Sequence, residues 1–345
     1  MPMPEPQAST HHGEADSSAA ATFSKWREAD INDDDYIRDD TDAPAKIDSE
    51  GGEDPAAFFR MFGQEDEEDV YEEVYYEYET ASTKTTTKAT ATKTSVVIRH
   101  HGEYPNSTGL AVWRGSEILA RFLCDQQRLC DDSKNKNENE NVANGIVSIR
   151  QKNILEVGAG AGLPSIVAHK VLGAKSVLVT DGDYDALTNM KYNVDANQIG
   201  NNNNNNTISC QQLIWGRGVG AFLKTHGKQD VVLAADCVYM VPSLRPLWKT
   251  IDALLEENGT FVYAQTAASA VPWKDFSEMV EIHGFEVCFQ VVGKELDQYN
   301  VDNDGDSDDD ANNNGREDEE YELGVYVFRR KRWRFYYCSA AGVEK

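Results

Sequence analysis

The sequence predicts an α/β fold, a doubly wound and mostly parallel sheet of seven strands, and three observations predict it. Short apolar runs alternate with longer amphipathic ones from residue 153 onward, a glycine-rich turn follows the first run, and the second run ends on an acid, Asp181. Short buried strands separated by segments of helical period are how parallel strands with crossover helices read in sequence. In such sheets ligands bind beyond the carboxyl ends of the strands.

The elements follow in order. Residues 1–52 are polar, acidic and nearly free of periodic apolar residues, so they bury too little surface to offset the entropy of ordering and read as disordered. The aromatics between 58 and 78 need a burial site and dock on the domain. The Thr/Lys-rich stretch 80–94 is a linker or the tip of a hairpin. Thus 1–95 is mostly acidic tail and linker, and 96–345 is the domain. A helix over 113–123 precedes strands at 153–157, 176–181, 209–215, 230–236, 259–265, 285–292 and 323–333. Helices at 164–172, 184–197, 219–226, 243–257 and 272–283 lie between them. Pro164 and Pro272 suit first helical turns, and Gly173, Gly259 and Gly284 follow helix ends. Low-complexity stretches at 131–144, 201–206 and 297–320 are surface-loop insertions, tolerated because closure entropy grows slowly with loop length.

Charge separates these parts. Residues 1–79 carry a net −19 and residues 295–320 a net −11 against −26 for the whole chain, which leaves +4 for the remainder. The acidity belongs to tails and insertions, and the balance argues against a stable nucleic-acid partner, since phosphates call for a positive surface. Six scattered cysteines without C-x-x-C spacing suggest reduced thiols, and no apolar run reaches membrane-spanning length. A monomeric cytoplasmic protein without a membrane partner is expected.

The chemistry starts at Glu156-Val157-Gly158-Ala159-Gly160-Ala161-Gly162. Glycines between a strand and a helix let backbone approach a ligand and aim helix N-terminal amides at it. A dinucleotide site asks for a third glycine at 163, where Leu163 stands, whereas E/D-x-G-x-G-x-G matches throughout. That second pattern resembles an S-adenosylmethionine site. Asp181, at the end of the second strand, can accept two hydrogen bonds from ribose hydroxyls, or it is an acid in the turn before a helix.

Together with Gly109-Leu110-Ala111-Val112-Trp113, Leu213-Ile214-Trp215-Gly216 and the run 230–239, these residues resemble the seven-strand, Rossmann-like S-adenosylmethionine-dependent methyltransferases. The similarity is closest to the branch acting on lysines of non-histone proteins. Gly162-Leu163-Pro164-Ser165 and Lys191-Tyr192-Asn193, with the acidic aromatic segment 61–71, are similar to the subgroup that methylates elongation factor 1-alpha. The resemblance implies a cofactor site of Trp113, Glu156, Gly158, Ala159, Gly160, Gly162, Asp181, Trp215 and Ala235, with Trp215 near the adenine and Trp113 near the methionine end. Aromatic faces suit both a purine and a sulfonium. It further implies that Asp236 and Tyr239 are the catalytic pair, Asp236 orienting the substrate amine and Tyr239 lining an aromatic channel. The expected substrate is a protein of elongation factor, chaperone or calmodulin type, accepting a methyl group on a lysine or N-terminal amine. A small-molecule or nucleic-acid methyltransferase and a noncatalytic binding module are the rival readings.

Other features stay outside the site. His100-His101-Gly102-Glu103 and its echo at 11–14 lack H-E-x-x-H spacing, and 297–310 lacks the full calcium loop ending in Glu. The basic run 329–334 reads as the solvated end of a last strand, positioned to pair with the acidic segment before it.

Overall fold

The computed structural model describes residues 71–80, 92–101, 108–134, 146–197, 206–266, 271–299 and 323–331. A hairpin of β1 (Tyr71–Thr80) and β2 (Thr92–His101) comes first. The strands β3 (Asn153–Val157), β4 (Ser176–Asp181), β5 (Thr207–Gln212), β6 (Gln229–Ala235), β7 (Leu255–Gln265), β8 (Phe285–Val292) and β9 (Gly324–Arg330) then form one sheet in the order β5-β4-β3-β6-β7-β9-β8. The helices are α1 (Arg114–Lys134), α2 (Leu163–Lys170), α3 (Tyr184–Ala196), α4 (Val219–His226), α5 (Val241–Leu254) and α6 (Trp273–Ile282).

β5, β4, β3, β6 and β7 run parallel, and β9 runs antiparallel to both β7 and β8. The chain winds outward from β3 through β4 to β5, then returns to place β6 on the other side of β3. That reversal opens a crevice at the carboxyl ends of β3 and β6. Strand alternation feeds two cores. Val231, Leu233 and Ala235 of β6 face α1, α2 and α3, while Val232 and Ala234 face α5 and α6. The second core is aromatic: Trp248 is fully buried with edge contacts to Phe261 at 5.4 Å and Phe328 at 5.7 Å.

Several boundaries differ from the sequence expectation. α1 runs on to Lys134 instead of stopping at 123, because the buried amides of Gln126 and Gln127 accept hydrogen bonds from Val147 N and Ile149 N. A polar stretch of this helix is thereby made part of the interior. β5 stops at Gln212, so Trp215 lies in the following loop. α5 ends at Leu254 and β7 begins at Leu255, which puts Gly259 inside a strand rather than behind a helix.

The segment read as tail and linker contains strands from Tyr71 onward. Tyr78, Val96 and Ile98 are buried in the first core, and Tyr76 Oη donates to Glu117 of α1 at 2.8 Å. The stretch 1–52 expected to be disordered, most of the insertions and the end of the basic run lie outside the described residues. In the described part of that basic run Arg330 pairs with Asp252, and the acidic segment expected to meet the run lies largely outside the described residues. No described helix is long and apolar enough to cross a membrane.

Candidate active site

The glycine loop is built by backbone geometry. Gly158, Gly160 and Gly162 have φ of 62°, 52° and 83°. A Cβ on Gly158 would lie 2.7 Å from the Cys237 Cβ and 3.1 Å from the Trp215 ring, and one on Gly160 would lie 3.2 Å from the Gly109 carbonyl oxygen. Both positions combine a left-handed conformation with close neighbours, so only glycine fits. Gly162 serves differently. It is the N-cap of α2 and faces Met190 and Val179, away from the cleft.

Glu156 also turns away. Its carboxylate, 1% exposed, accepts Ser165 N at 2.9 Å in the first turn of α2. Burial pushes its pKa up to about 7 against the Ser165 hydrogen bond, and the nearby Asp181 adds to the rise. An acid suits this position because a helix N-terminus offers unpaired N–H groups and a positive dipole end.

The loop opens on a cleft of about 690 Å3 at the strand ends. Asp181 enters from β4, its Oδ2 accepting Gly160 N at 3.0 Å and its Oδ1 accepting Asp183 N at 2.9 Å. Burial pushes the Asp181 carboxyl pKa upward. Trp215 forms one wall. Its loop is held by Leu213 N bonding to the Asp181 carbonyl at 3.0 Å and by Gly216 N bonding to Thr250 Oγ1 at 2.9 Å. Trp113 forms another, its Nε1 donating to the Thr108 carbonyl at 2.8 Å and its ring 6.3 Å from that of Tyr239. Ala159 and Ala235 line the floor.

Asp236 follows β6 with φ 43°, a conformation uncommon for a non-glycine residue. It is 5% exposed. Its Oδ2 accepts Gly115 N at 2.8 Å and Thr266 Oγ1 at 2.7 Å, and its Oδ1 accepts Thr266 N at 2.6 Å. A Cβ on Gly115 would overlap this carboxylate. Asp236 therefore knots the start of α1 to the ends of β6 and β7. Tyr239, 36% exposed, stands at the mouth, and burial of its hydroxyl pushes the pKa upward.

The cleft thus brings together nine of the expected residues: Trp113, Gly158, Ala159, Gly160, Asp181, Trp215, Ala235, Asp236 and Tyr239. Glu156 and Gly162 lie behind it. Sequence reasoning passed over Thr108, Asp183, Arg217, Met240 and Pro246. Asp183 alone carried a signal, as an N-cap before α3 whose side chain accepts Asp185 N and Ala186 N.

A family model described as lysine methyltransferase matches residues 92–282, over half of the chain and all strands from β2 to β7. The chain belongs to this lysine methyltransferase family. A protein of Gibberella zeae named protein N-terminal and lysine N-methyltransferase EFM7 is 31% identical over 210 residues, 56% of this chain and 71% of that protein. The Cryptococcus neoformans protein of the same name is 28% identical over 180 residues, 51% of this chain and 52% of its own length. Mouse protein-lysine methyltransferase METTL21E is 37% identical over 120 residues, 33% of this chain and 45% of its own. The chain spans about half the length of the Cryptococcus neoformans, Kluyveromyces lactis and mouse relatives.

Proposed function

We propose that this chain transfers a methyl group from S-adenosylmethionine to a lysine side-chain amine of another protein. The observation that carries the reading is the convergence of a bare-backbone glycine loop, the Asp181 carboxylate and two tryptophan walls on one cleft whose mouth holds Tyr239.

The residues present fit that cofactor. Gly158 and Gly160 leave room that any Cβ would fill, Asp181 offers acceptor oxygens for ribose hydroxyls, Trp215 a flat face for a purine, and Trp113 a π-face for a cation. When bound, the cofactor supplies an electrophilic methyl carbon on a sulfonium.

The protein's task is to align the amine with that carbon and to deliver it uncharged, because a free lysine is protonated near pH 7. The Trp113 and Tyr239 rings narrow the entrance and strip water from the amine, which lowers its pKa, and the proton leaves to solvent at the open side. Asp236 works by positioning. With both carboxylate oxygens already engaged, it fixes the first turn of α1, and so Trp113, against β6 and β7. This replaces direct orientation of the amine by Asp236 as the preferred reading.

The family's description favours lysine as acceptor, and an N-terminal amine obeys the same chemistry. A cytoplasmic, monomeric enzyme whose substrate is of elongation factor type is the finer form of the reading.

Two experiments test it. Labelled S-adenosylmethionine with a cell extract is expected to mark a protein band that mass spectrometry resolves to a methylated lysine, and label confined to RNA would overturn the proposal. Asp236→Ala is expected to cut product formation by more than 100-fold. Unchanged cofactor binding and turnover in that variant would remove Asp236 from the site.

A further inference from the structure

α3 and its C-cap carry three asparagines, Asn189, Asn193 and the capping Asn197, spaced four residues apart on one face, and each is at most 3% exposed. Asparagine is a poor residue for a helix interior, so three on one buried face need partners. Their partners lie along one edge of β2. Asn197 Oδ1 accepts Val97 N at 3.1 Å and its amide donates to the Val97 carbonyl, while Asn193 Oδ1 accepts Arg99 N at 2.8 Å and its amide donates to the Arg99 carbonyl at 3.0 Å. Asn189 donates to the same carbonyl at 3.0 Å and accepts Arg99 Nε at 2.9 Å.

The match is metric. Four helical residues rise about 6 Å and two strand residues about 6.6 Å, so the asparagine repeat keeps step with the N–H and C=O groups that alternate residues of a strand turn to one edge. The ladder takes the place of a neighbouring strand. It is reinforced outside by the Arg99 guanidinium, which lies over the Tyr192 ring at 3.7 Å and the Tyr71 ring at 4.4 Å.

One rung reaches further. The Asn193 amide also donates to the Ala161 carbonyl at 3.0 Å, and Ala161 lies between Gly160 and Gly162 in the loop that lines the cleft. Asn193 spends its amide on both, one hydrogen for the hairpin and one for the glycine loop. Asn197 touches β2, α3 and Lys170, but not the loop.

We infer that Asn193 is a positioning residue that couples docking of the β1–β2 hairpin to the conformation of the glycine loop, so that cofactor affinity depends on a hairpin that does not line the cleft. This rests on the reading of the cleft as an S-adenosylmethionine site. By linkage the dependence is reciprocal, so cofactor binding tightens the hairpin.

Calorimetry with S-adenosylhomocysteine on Asn193→Ala and Asn197→Ala separates coupling from simple loosening, since both variants cut hairpin bonds and only the first cuts the loop. Asn193→Ala is expected to weaken binding tenfold or more, about 1.4 kcal/mol, and Asn197→Ala less than threefold. Equal weakening in both, or none in Asn193→Ala, overturns the inference.

Should Asn193→Ala not fold, hydrogen exchange in the unaltered protein decides. Saturating S-adenosylhomocysteine is expected to slow exchange of the Arg99 amide several-fold, and an unchanged rate overturns the coupling alone. Failure of the unaltered protein to bind S-adenosylhomocysteine would instead sink the cofactor reading and the coupling with it.

Discussion

Glu156 shows how a residue can satisfy a motif and yet do another job. The sequence pattern places it among cofactor-binding residues, but its carboxylate lies behind the loop on the N-terminus of α2. Its pKa is raised from 4.5 to about 7, so the folded state favours the protonated form. The corresponding stability is fully present below pH 4.5 and is lost as pH rises through about 7, a change on the order of 3 kcal/mol. Glu156→Gln removes the titration. Denaturant melts of the two proteins are expected to diverge between pH 4.5 and 7, the natural protein losing ground, and to run parallel above that range. Gly158→Ala tests the loop itself. With the added methyl 2.7 Å from Cys237 Cβ and a left-handed backbone, cofactor affinity should fall at least 100-fold by calorimetry, and an affinity within threefold of normal would show that the loop does not touch the ligand.

Among the elements, those with strong periodicity were legible and those held by tertiary hydrogen bonds were not. β3, β4 and β8 match their expected ranges: β3 and β4 are short apolar runs buried inside the sheet, and β8, an edge strand with Glu286, Val287 and Gln290 exposed, is bounded by Gly284 and Gly293. α1 outran its expected end because glutamines that look solvent-facing in sequence serve the interior. β1 was not legible as a strand, since Glu72, Glu73, Glu77 and Glu79 make its segment read as acidic tail, although docking of its aromatics was expected and Tyr76 and Tyr78 pack on the domain. The sheet's far side is closed by Arg330 at the end of β9, which pairs with Asp252, bonds to its carbonyl at 2.7 Å and lies over the Phe285 ring at 4.8 Å. His283 first and Arg330 next hold the Asp252 pKa down at about 2, so this stability is present above the usual carboxylate range and is lost as pH falls toward 2. Arg330→Met is expected to cost about 2 kcal/mol at neutral pH by denaturant melts, the half-exposed Asp252 being partly screened, and less as pH falls to 2, where Asp252 is being neutralised. An equal cost at both pH values would show that packing, not charge, is what Arg330 contributes.

At the scale of the whole molecule, the proposed seating of the cofactor against β3, β4, β6 and the loops beyond them means that it must be released before those strands can separate. Ligand binding to the folded state alone raises stability by about 2.7 kcal/mol at 100 times Kd, which for a domain of this size shifts Tm by about 5–10 °C. A scan with S-adenosylhomocysteine should show that rise and one with NADH should show none. The reverse outcome would restore the dinucleotide reading that Leu163 argues against.

By itself the sequence determined the α/β winding, the position of the glycine loop and the acids and tryptophans that accompany it. Each of those is a local pattern: burial periodicity fixes strands and helices, and a turn that needs φ above zero next to a ligand must be glycine. Only the tertiary structure decided what those side chains face. It turned Glu156 and Gly162 away from the cleft, gave the Asp236 oxygens to Gly115 and Thr266, and joined the hairpin to the glycine loop through Asn193. Asp236 and Gly115 are 121 residues apart in the chain, Asn193 and Arg99 are 94 apart, and Asn193 and Ala161 are 32 apart. Which donor a carboxylate or amide finds depends on how distant segments pack, and a one-dimensional pattern records only that a polar group is present.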